Sequence, residues 1–67
     1  MSGDWVKPGV RLQRDDGSKI RVDDVAKKDG VTWVYYVAWR PHCVYGRPLR
    51  RPLDEFRELC RTEGMRT

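Results

Sequence analysis

The chain reads as mainly β: four or five short antiparallel strands curled into a small barrel, followed by one short C-terminal α-helix. Three observations predict this. Apolar and polar residues alternate in Val10-Arg11-Leu12-Gln13-Arg14 and again in Lys19-Ile20-Arg21-Val22, the period of two that a half-buried strand requires. Asp16-Gly17 and Asp29-Gly30 punctuate these runs with residues that tolerate the positive φ of tight hairpins. After Pro52 the period changes, and Leu53, Phe56, Leu59 and Cys60 fall on one face of a helix.

Taken in order, residues 1–4 are a polar, flexible start, and Trp5-Val6 leads into a turn at Lys7-Pro8-Gly9, where Pro sets φ and Gly accepts φ above zero. The first strand is residues 10–14, closed by Asp15-Asp16-Gly17-Ser18. In the next segment, Val25 stands where strict alternation would place an apolar residue at 24. One extra residue predicts a β-bulge, which bends a strand and helps a small sheet curl; the alternative is a strand ending at Asp23. After the turn Lys27-Lys28-Asp29-Gly30 comes the central strand, residues 31–39. It is apolar on both faces: Val31, Trp33, Tyr35, Val37 and Trp39 on one, Thr32, Val34, Tyr36 and Ala38 on the other. One face fills the core, and the other needs the C-terminal helix, a partner chain or a ligand as cover. Residues 40–46 form a loop or wide hairpin. Arg47-Pro48-Leu49-Arg50-Arg51 is an edge strand, because Pro48 has no N–H for a ladder on both sides. Pro52 suits the first turn of a helix, acids lead that helix and Arg61 trails it, and Gly64 stops it. The expected organisation is one domain over 1–67: flexible 1–4, barrel 5–51, helix 52–63 and tail 64–67.

A chain of 67 residues buries only about 60% of the surface its unfolded form exposes. Its three Trp, three Tyr and one Phe nevertheless argue for a folded domain, since disordered chains lack such residues. No apolar run approaches the roughly 20 residues that span a bilayer, and no charged start precedes an apolar stretch, so the expected location is cytoplasmic. Cys43 and Cys60 match no redox spacing and are expected as two reduced thiols, one of them on the helix.

The net charge of +4 becomes informative once it is located. Residues 1–39 hold seven Lys or Arg against six Asp, and residues 52–67 three Arg against four acids, whereas residues 40–51 hold Arg40, Arg47, Arg50 and Arg51 with no acid. Guanidinium groups pair with phosphates in a bidentate fork and aromatic rings stack on bases. The segment therefore predicts a non-catalytic module binding RNA or DNA, with Arg40, Arg47, Arg50 and Arg51 on phosphates and Trp39 or Tyr45 stacking. The same four Arg also suit two other roles: keeping an exposed sheet edge soluble, and anchoring a protein partner or a second copy of the chain. A further use of the rings is a cage for a methylated Lys or Arg from Trp33, Tyr35, Tyr36 and Trp39, although a central strand ordinarily spends such rings on its own core.

Catalytic and metal chemistry find no pattern. His42, Cys43 and Cys60 are three candidate ligands where a structural zinc site needs four. Asp15-Asp16 and Asp23-Asp24 are adjacent pairs near turns, whose strand neighbours point to opposite faces. Ser2 and Ser18 lack a nucleophile elbow, and Gly9, Gly17 and Gly30 belong to no phosphate-cradling loop. No enzyme activity, cofactor or metal is expected.

The order of turn, strand, Asp-Gly hairpin, strand, long aromatic strand, edge strand and helix resembles the small barrels of the Src-homology-3-like type over about residues 5–60. The Lys7-Pro8-Gly9 opening, Trp33-Val34-Tyr35-Tyr36 and the closing Leu53-Asp54-Glu55-Phe56 are similar to short proteins of bacteria, phages and plasmids. The resemblance implies binding of RNA, DNA or peptides. One enzyme of this size and barrel type, the plasmid-type dihydrofolate reductase, carries a Val-Gln-Ile-Tyr segment with no counterpart here.

Overall fold

Which face of the central strand is buried decides the rest of the architecture, and the computed structural model answers it. It describes residues 5–66; the segment 1–4, expected to be flexible, lies outside the described residues, as does Thr67. The strands are β1 (Arg11–Gln13), β2 (Lys19–Lys28), β3 (Val31–Trp39) and β4 (Arg47–Pro52), followed by the helix α1 (Leu53–Glu63). All pair antiparallel with their chain neighbours, in the order β1-β2-β3-β4.

Val34 and Tyr36 are buried, so the even-numbered face of β3 is the inner one. Cross-strand partners share a face, and Tyr36 stands opposite Val22, Ala38 opposite Ile20 and Val34 opposite Val25. Leu12, opposite Ile20 on β1, joins them. Helix α1 closes this layer with Phe56 and Cys60; the Phe56 ring lies 4.9 Å from Tyr36 and 6.2 Å from Trp5, centroid to centroid. The Tyr36 hydroxyl, the polar end of a buried ring, accepts a 3.0 Å hydrogen bond from Arg51 Nε.

The bulge expected in β2 is present. Register slips between Val22 and Asp24, so Val25 and not Asp24 faces the core. Without the slip a carboxylate would be buried. Both Asp-Gly turns hold the left-handed backbone that selects them: Gly17 has φ 100°, and Asp29 and Gly30 have φ 52° and 79°. Two consecutive positive values are the type I′ pattern that matches strand twist.

Helix α1 ends as its sequence predicts. Gly64 takes φ 68° and its N–H reaches Arg61 O, while Met65 N–H reaches Cys60 O at 2.9 Å, the paired bonds of a Schellman cap. That reversal returns the chain to β1, where Arg66 and Gln13 exchange two backbone hydrogen bonds of 2.8 and 2.9 Å. Two exposed ion pairs fasten the same corner, Arg14 to Glu63 and Arg66 to Asp15. The outer strands β1 and β4 do not pair with one another, so the sheet is four-stranded and not closed into a barrel. Pro48 and Pro52 in β4 bear out an edge strand.

Both thiols are free, Cys43 exposed and Cys60 buried. Burial pushes the Cys60 thiol from the ordinary 9.0 up to about 11. The fold thus favours the protonated thiol, a contribution complete below about pH 9 and lost as pH rises toward 11. We expect a thiol reagent to label Cys43 at once and Cys60 only as the chain unfolds. Denaturant titrations of the protein and of Cys60→Ala should show a stability gap that narrows between about pH 9 and pH 11.

Candidate nucleic-acid interface

The strand period of two separates residues that are adjacent in the chain. Arg50 stands opposite Tyr35 and shares the outer face of the sheet, whereas Arg51 stands opposite Val34 on the inner face. There Arg51 is engaged by Tyr36 and, at 3.9 Å, by Glu55. Arg47, opposite Ala38, is also on the inner face, and Tyr45 projects from the β3–β4 loop at 83% exposure. The four arginines expected to form one patch are therefore divided: Arg40 and Arg47 remain near Trp39, Arg50 sits in mid-sheet and Arg51 points away. The proposed cage is likewise broken up, because Tyr36 is buried on the face opposite Trp33, Tyr35 and Trp39.

What the fold assembles around Trp39 is a different set of cations. Antiparallel pairing places Lys19 opposite Trp39, Arg21 opposite Val37 and Arg11 opposite Arg21, all on the outer face. They form an open groove of about 990 Å³ with Trp39 and the loop residues Arg40, His42, Cys43 and Val44. Its wall holds Arg11, Lys19, Arg21 and Arg40 and no carboxylate. Among the described residues, Arg14, Arg21, Arg51, Arg61 and Arg66 take part in ion pairs, but no carboxylate lies within ion-pair distance of Arg11, Lys19, Arg40 or Arg47. The groove thus gathers three cations without an ion pair, Arg11, Lys19 and Arg40, at the Trp39 end of the sheet. A single-sign groove with low-dielectric walls focuses potential and attracts anions.

The sequence signal for Arg11, Lys19 and Arg21 was their parity. They alternate with Leu12, Ile20 and Val22, so they had to share a face; only the pairing of β1 and β2 with β3 brings that face to Trp39.

Local geometry holds the groove open. Arg40-Pro41-His42-Cys43 is a turn closed by Cys43 N–H to Arg40 O at 3.1 Å, and its third residue, His42, has φ 63°. That is the type II position usually reserved for Gly. Across the hairpin the Trp39 indole lies against Gly46, where an added Cβ would stand 2.7 Å from the ring and 2.3 Å from a Val37 methyl. The Arg21 guanidinium lies 5.5 Å from the same ring's centroid and is steadied by Asp23 at 2.9 Å. The indole is therefore fixed in place as one wall of the groove.

No group of three or more His, Cys, Asp or Glu side chains gathers in a metal-binding arrangement among the described residues. No helix among the described residues is long and apolar enough to cross a membrane. Comparison with family models, with curated proteins and with solved structures finds no match.

Gly46→Ala forces the indole and Val37 to move, and overpacking of this kind costs about 1–3 kcal/mol. The expected result is a lower unfolding midpoint together with a shifted tryptophan emission in the folded protein.

Proposed function

We propose that this chain is a non-catalytic nucleic-acid-binding module whose phosphate site is the groove of Arg11, Lys19, Arg21 and Arg40 beside Trp39. One observation carries the reading: four cations and a fixed indole line one groove, and of the four only Arg21 has a carboxylate partner, Asp23. Arginine and lysine neutralise phosphates and release their counterions, and an aromatic wall offers a surface for a base. The meander order, the bulge in β2 and the return of the chain to β1 through Arg66 support an open-sheet variant of the small Src-homology-3-like type as the scaffold, of the kind found in short bacterial, phage or plasmid proteins. Binding RNA or DNA in the cytoplasm is the role this reading assigns.

The test is a triple variant, Arg11→Ala, Lys19→Ala and Arg40→Ala, measured by gel shift and by anisotropy with a labelled oligonucleotide over a salt series. All three positions are exposed, so stability should change by less than about 0.5 kcal/mol each. The logarithmic salt slope should become shallower by up to about 2, given about 0.7 per lost single-strand phosphate contact. An unaltered affinity and slope would discard the groove as the phosphate site.

A second reading rests on its own observation. Val44 and Tyr45 are each 83% exposed at the tip of the β3–β4 loop, an apolar pair suited to anchoring a protein partner or a second copy of the chain. Light scattering should then show a species larger than the monomer that Val44→Ser with Tyr45→Ser converts to monomer. A monomer at every concentration would remove self-association.

A further inference from the structure

The groove opens onto the outer face of the sheet, and that face has a repeated device. Arg21 lies 5.5 Å from the centroid of Trp39, and Arg50 lies 4.8 Å from that of Trp33. Both are guanidinium groups over an indole, on the same face, at the two ends of β3. Between them on the same strand is Tyr35, partly exposed and directly opposite Arg50. We infer that the ligand of the groove is single-stranded, and that its unpaired bases run from the groove along β3, stacking on the Arg21–Trp39 and Arg50–Trp33 pairs with Tyr35 between.

This rests on the groove as a phosphate site and names the class of nucleic acid it takes. A duplex would be read by a helix or a two-stranded ribbon entering its major groove. The only helix among the described residues, α1, buries Phe56 and Cys60 against the sheet and carries Asp54, Glu55, Glu58 and Glu63 against Arg57 and Arg61, a net negative charge that repels phosphate. Bases already paired and stacked in a duplex have no use for flat cationic surfaces, whereas splayed bases stack on guanidinium planes and aromatic rings.

The dimensions fit a strand of several nucleotides. Trp33 and Trp39 are six residues apart on β3, or about 20 Å at 3.3–3.4 Å per residue. That is roughly the length of six stacked nucleotides at 3.4 Å each, and fewer if the chain is extended. The carboxylates on this face also suggest a side. Asp23 and Asp24 flank Tyr35 from β2, Asp23 engaged by Arg21 and Asp24 accepting the Val25 N–H. On the other flank β4 presents Pro48, Arg50 and Pro52, with one positive charge and no negative one. Beyond the groove, where the cations of β1 and β2 hold the first phosphates, the backbone of the strand therefore continues along the β4 side of β3.

The experiment uses fluorescein-labelled oligodeoxythymidylates of 4, 8 and 12 nucleotides and a 12-base-pair duplex, titrated at one low salt concentration and read by anisotropy. The 8-mer should bind about tenfold or more tightly than the 4-mer, since one added stacked base is worth that much. The duplex should bind no better than the 4-mer. Arg50→Ala, an exposed change checked by its melting curve, should flatten the dependence on length by weakening the 8-mer more than the 4-mer. Asp24→Asn, which keeps the oxygen that accepts from Val25, should strengthen the 8-mer. Equal affinity for 4-mer and 8-mer, or a duplex that binds as tightly as the 8-mer, overturns the single-strand path while the groove reading stands. Failure of every probe to bind overturns both.

Discussion

The contact of Phe56 with Tyr36 determines what this molecule can present to its surroundings. β3 carries large apolar residues on both sides, and a sheet of four short strands has only one helix to cover it. By placing Phe56 and Cys60 over Val34 and Tyr36, α1 commits the even-numbered side to the interior. Trp33, Tyr35, Val37 and Trp39 are left half-covered by their own neighbours. The proposed binding face then lies on the other side of the same strand. A half-covered aromatic row is tolerable in water because guanidinium groups lie across its ends, keeping apolar surface shielded and charge hydrated.

The order of elements was legible from local chemistry alone. Asp-Gly turns, the phase slip before Val25, the prolines of β4 and the Gly64 stop each reflect a backbone requirement that only a few residue types meet. The buried side of β3 was not legible, since both sides offered comparable hydrophobic area and the choice belongs to a helix that follows in the chain. The same limit applied to the arginines. A count along residues 40–51 ignores parity, and parity sends Arg50 and Arg51 to opposite sides of the sheet. Conversely, Arg11, Lys19 and Arg21 lie far from residue 39 in the chain and reach Trp39 through two successive hairpins. Linear clustering of charge found Arg40 but not the cations that strand pairing gathers beside it.

The bulge at Asp23 links fold and surface. By shifting phase it keeps Val25 in the interior, and it places two carboxylates beside Tyr35. One steadies Arg21 against Trp39. A single inserted residue thus completes the core, orients the indole that walls the groove and sets a negative margin on the outer face.

The two margins of the sheet are finished by different means. β1 is capped by its own chain, through the Gln13–Arg66 pair, and β4 by prolines that withhold donors. An open row of main-chain donors and acceptors invites other strands to add on. With both rows blunted, a domain of this size can be concentrated without its copies fusing into fibres, and contact between copies becomes a matter of side chains alone.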